Sequence, residues 1–63
     1  MFTVYEASGV AHRSVRGTFE TFAAACDFVQ ALHPICFEVD VDHPGCADAL
    51  LQGGVIYAIE VVA

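Results

Sequence analysis

From Ile35 to Asp42 the chain alternates without a break: Ile35, Phe37, Val39 and Val41 are apolar, with Cys36, Glu38, Asp40 and Asp42 between them. Successive side chains of an extended chain point to opposite faces, so the pattern specifies a strand with one face in a core and the other in water. A strand of that kind needs a second layer over its apolar face.

The cover has one source. Thr21 is placed to accept a hydrogen bond from the orphan amides of a first helical turn, with Thr18 as the competing start. Phe22, Ala25, Cys26, Phe28, Val29 and Leu32 then follow the i, i+3, i+4, i+7 spacing of an amphipathic helix, which His33-Pro34 should end. A helix of about three turns is not stable by itself in water, so it must dock on a sheet.

The other segments supply that sheet. Phe2 to Ala7 alternates as a strand, Ser8-Gly9 reads as a tight turn, and Val10 to Arg16 reads as a second strand closed by Gly17. Arg13 and Val15 fall on one side of it with Ala11, and His12, Ser14 and Arg16 on the other. After Asp42, Pro44 suits the first position of a helix, Ala47 to Gln52 reads as a short helical turn, and Gly53-Gly54 would end it. Val55 to Val62 is the last strand. The expected fold is therefore one α+β domain over residues 1–63: a two-layer sandwich with an antiparallel four-stranded sheet and one main helix on one face, in the order β-β-α-β-short helix-β. The first two strands are expected to pair as a hairpin, and the last two to lie side by side.

Charge narrows the function classes. Eight acids face only Arg13 and Arg16, for a net charge of −6. Neutralising a phosphate backbone takes several cationic contacts, so nucleic acid and anionic membrane surfaces are not expected partners. Met1 to Glu6 carries no basic segment of a targeting signal, and the expected location is cytoplasmic. Three cysteines, Cys26, Cys36 and Cys46, fit free thiols better than a disulfide framework, and Cys26 reads as a small buried residue on the helix.

The densest polar cluster is Asp40, Asp42, His43, Cys46 and Asp48. Asp40, Asp42, Gly45 and Asp48 match positions one, three, six and nine of a calcium-binding loop, but Pro44 and Leu51 stand where oxygen ligands are needed. His43 and Cys46 have a spacing that zinc sites use, although the second ligand pair would have to come from His12, His33 or Cys36. A divalent metal on these five residues is the alternative to no cofactor at all. The plain structural account is a capped short helix started by Pro44, with Asp48 in water. Glu38 and Glu60 could form a carboxylate pair across neighbouring strands, but an open face offers no dry pocket to tune them. Arg13 and Arg16 are expected to pair with acids on adjacent strands.

Hydrophobic residues make up 57% of the chain, more than a domain of 63 residues can easily hide. The face opposite the helix should carry Thr3, Tyr5, Cys36, Glu38, Ile56, Ala58 and Val62. Tyr5, Cys36, Ile56, Ala58 and Val62 are the candidates for an interface, with Glu38 and Glu60 at its rim. The chain thus reads as a non-enzymatic protein-interaction or self-associating module, its partner being another protein or a second copy. A minimal enzyme with a site between subunits is the remaining reading.

Overall fold

A computed structural model describes residues 1–7 and 13–62. Its elements are β1 (Phe2–Ala7), β2 (Arg13–Phe19), α1 (Phe22–Gln30), β3 (Cys36–Val39), β4 (Ala47–Leu50), a 3-10 turn at Gln52–Gly54, and β5 (Ile56–Val61). The fold is α+β, with five antiparallel strands in one sheet ordered β2-β1-β5-β4-β3 and one helix against it. The turn expected at Ser8-Gly9 and the residues Val10, Ala11 and His12 lie outside the described residues.

The fifth strand corrects the expected short helix. Ala47 and Ala49 are only 2% and 3% exposed, whereas Asp48 and Leu50 point the other way, a period of two rather than 3.6. Gly45 explains the choice. Its φ of +89° belongs to a tight turn and not to the start of a helix after Pro44. The chain folds back there, and Asp40 and Cys46 join by a backbone bond of 3.0 Å. β4 therefore enters between β3 and β5, and the two strands expected as neighbours do not pair.

Other bounds shift for similar reasons. β2 does not close at Gly17 but runs on to Phe19, with an irregularity opposite the Val4/Tyr5 step of β1. Tyr5 pairs with Val15 and Val4 with Gly17, so Arg16 is the extra residue of a bulge. The bulge resets the alternation: Arg13 and Val15 lie on the face of Tyr5, and Phe19 lies on the face of Phe2. β3 is shorter than the alternating run that announces it. Ile35 precedes it, and Val41 sits in the following turn with 88% of its surface exposed.

The helix begins as the sequence implies. Thr21 Oγ1 accepts from the Ala24 amide at 3.1 Å, a cap worth about 1 kcal/mol. It ends earlier than His33-Pro34, at Gln30 with Ala31 as its C-cap. His33 then takes φ +57°, the left-handed position at which helices commonly stop. α1 rests on β1, β2 and β5. Ala25 and Val29 meet Val4, Ile59, Ala47 and Ala49 in the core. Phe2 packs on Phe22 with ring centres 5.7 Å apart, and Phe19 on Phe28 at 5.4 Å. These tilted ring pairs fix the helix on the sheet.

Candidate functional site

With α1 on one face, the pairing registers define the other. Cys36, Leu50, Ile56 and Ala7 form one row across β3, β4, β5 and β1. Glu38, Asp48, Ala58, Tyr5 and Val15 form the next. Glu60 and Thr3 belong to the third. Alternation in β1, β3 and β5 makes most of this face readable, and Leu50 joins it because β4 is a strand.

The expected interface residues divide. Cys36 is exposed, and Ile56 and Val62 each keep 43% of their surface. Tyr5 is half-buried beneath the Arg13 guanidinium, which lies 4.7 Å from its ring centre. Ala58 is 9% exposed between its neighbours, the least exposed of the five. Leu50 is 40% exposed beside Ile56, an apolar residue of the open face that the helical reading of Ala47–Gln52 concealed. Cys36, Glu38, Asp48, Ala49, Leu50 and Ile56 line a shallow groove of about 440 Å³.

Both arginines are engaged. Arg13 pairs with Glu60, which stands on β5, beyond the intervening β1. Arg16 Nε donates to Glu6 Oε1 at 3.0 Å, and the Tyr57 hydroxyl donates to the same oxygen at 3.3 Å. The anticipated Glu38–Glu60 pair does not form across neighbouring strands, because β4 separates β3 from β5. Glu38 instead stands directly opposite Asp48. Like charges in that position oppose each other and weaken the pairing.

The metal candidates occupy the β3–β4 turn and its surroundings. Asp40, His43, Cys46 and Asp48 line one depression of about 350 Å³ together with Glu60, whereas Asp42 does not. Asp40 and His43 meet, with Oδ2 and Nδ1 3.0 Å apart. Among the described residues, no group of three or more His, Cys, Asp or Glu side chains is gathered closely enough to hold a metal ion. The role found for Asp40 is to hold the turn, since its Oδ1 accepts from the Asp42 amide at 3.0 Å.

That hydrogen bond, and the His43 ring beside it, hold the Asp40 carboxyl below its ordinary value of 3.8. The folded carboxyl binds its proton more weakly than the unfolded one. Its contribution to stability is present above the ordinary value and is lost as pH falls through the lower folded one. The Asp42 amide resonance should therefore titrate with an inflection below 3.8, and Asp40→Asn should abolish it. An inflection at or above 3.8 contradicts the turn described.

The thiols are all free. Burial, with Asp27 adjacent, raises the Cys26 thiol above its usual pKa of 9.0. Cys36 is exposed and Cys46 half-buried. Alkylation by iodoacetamide at pH 8, followed by peptide mass spectrometry, should modify Cys36 first and Cys26 last, on the order of tenfold more slowly. Equal rates at Cys26 and Cys36 would show that the helix does not protect its thiol.

No family model, curated protein or solved structure matches this chain. Among the described residues, no helix is long and apolar enough to cross a membrane. The functional reading therefore rests on the surface just described.

Proposed function

We propose that this chain is a protein-interaction module, acting without catalysis, whose docking surface is the open face of the sheet. The observation that carries the reading is the row of Cys36, Leu50 and Ile56, set side by side across three strands on the face away from α1. Isolated apolar residues on a surface are ordinary, but a contiguous groove rimmed by polar groups is a contact site in the making. Cys36 and Ile56 were expected there, and Leu50 between them makes the row continuous.

Random peptides displayed on phage and selected on the immobilised protein test this. Leu50→Thr and Ile56→Thr place a strand-favouring β-branched residue at each position while removing apolar surface. With the double variant showing the wild-type circular dichroism spectrum, enrichment is expected on the wild type and not on that variant. Equal enrichment on both proteins, or none on either, would overturn the reading. Sedimentation of the wild type at micromolar concentration reports whether the bound partner is a second copy.

A further inference from the structure

The groove on the open face is not electrically neutral, and no ion pair among the described residues balances it. Glu38 and Asp48 form its rim next to the apolar row, both exposed and directly opposed. The chain has two arginines and no lysine. Arg13 is held by Glu60 and Arg16 by Glu6. Among the described residues, neither Glu38 nor Asp48 has an ion-pair partner. A basic side chain on another molecule would complement this pair.

We infer that the occupant of this groove is a cationic segment of a different protein, carrying an aliphatic anchor and a lysine or arginine close by. The inference rests on the docking surface proposed above and adds the chemistry of what it takes. Adjacent rows of the face are two residues apart along each strand, roughly 7 Å. The aliphatic side chain seats over Leu50 and Ile56, and the cation reaches Glu38 and Asp48 one row away. An extended segment meets both requirements with an aliphatic residue and a basic residue at i and i+2. A second copy of this chain is the poorer occupant, since each copy brings a net charge of −6 and its arginines are already paired. Complementary charge of this kind sets specificity and on-rate as well as affinity.

The composition of the selected peptides decides the matter. Peptides enriched on the wild type and lost on Leu50→Thr/Ile56→Thr should be net positive and hold aliphatic and basic residues two positions apart. The most enriched peptide, synthesised and titrated by fluorescence anisotropy, should lose about tenfold in affinity on Glu38→Gln/Asp48→Asn. Asp27→Asn, which removes a charge from exposed helix surface across the sheet, should leave the affinity within about twofold. Raising the salt should weaken the wild-type complex and narrow its advantage over the rim variant.

Face-dependent peptides that are neutral or acidic, or a face-dependent self-dimer, overturn the cationic partner while leaving the docking surface standing. Equal losses per charge removed on Asp27→Asn and on the rim variant show attraction to the whole acidic chain and overturn the specific rim. An absence of face-dependent enrichment removes the docking surface itself and this inference with it.

Discussion

Gly45→Ala is expected to lower the melting temperature by roughly 15–30 °C, from a loss of about 2–4 kcal/mol in a domain of this size. Two costs combine. An alanine at φ +89° is held in the left-handed region, at about 1–2 kcal/mol. Its Cβ would also stand 2.3 Å from Val61 Cγ2 and 3.0 Å from Phe2 Cε1, closer than atoms pack. Relieving that overlap moves the end of β5 or the Phe2 ring that seats the helix. Val61→Ala removes the nearer obstacle and is half-exposed, so by itself it should cost little. In the Gly45→Ala background it should recover part of the loss, leaving the backbone cost. A double variant no more stable than Gly45→Ala alone would place the whole penalty in the backbone.

Ile59→Ala should have the larger effect. Ile59 is 2% exposed on β5, with β1 on one side and β4 on the other, beneath the helix. Truncating a buried isoleucine costs about 2–5 kcal/mol, mostly through the cavity it leaves. A domain of 63 residues is stable by roughly 3–9 kcal/mol. The variant should therefore lose a large part of its stability, seen as a urea midpoint well below that of the wild type. Ile56→Ala, on the same strand but facing away from the helix, should cost under about 1 kcal/mol by urea denaturation. Similar costs at the two positions would contradict the assignment of the faces.

How far such arguments can be made from sequence depends on the element. The face of β3 follows from strict alternation, and the Thr21 cap follows from one hydroxyl ahead of a helical run. β4 was hidden by its composition. Ala47, Ala49 and Leu50 are good helix formers, and propensity is a weak guide where tertiary pairing decides. The signal that could have exposed it was the alternation of Ala47, Asp48, Ala49 and Leu50 directly after a turn-forming glycine. The bulge at Arg16 was equally opaque, because an extra residue in β2 leaves no mark on the pattern of β1.

The candidate site inherits both difficulties. Cys36 and Ile56 were legible as open-face residues, but Leu50 and the Glu38–Asp48 opposition appear only once β4 is a strand. The Arg13–Glu60 pair spans an intervening strand, a relation that depends on strand order and not on spacing.

The centre of the sheet is the pairing of β1 with β5, the two strands farthest apart in the chain, continued by the Val62 amide donating to the Met1 carbonyl at 2.9 Å. The neighbouring pairs β1–β2 and β3–β4 are local and can form early. The core cannot close until Ile56–Val61 arrives between them, because Ile59 is part of it. Such distant contacts raise contact order and slow folding. During synthesis, the two hairpins must wait as separate, partly apolar pieces, and the helix has its full seat only when the last strand joins them.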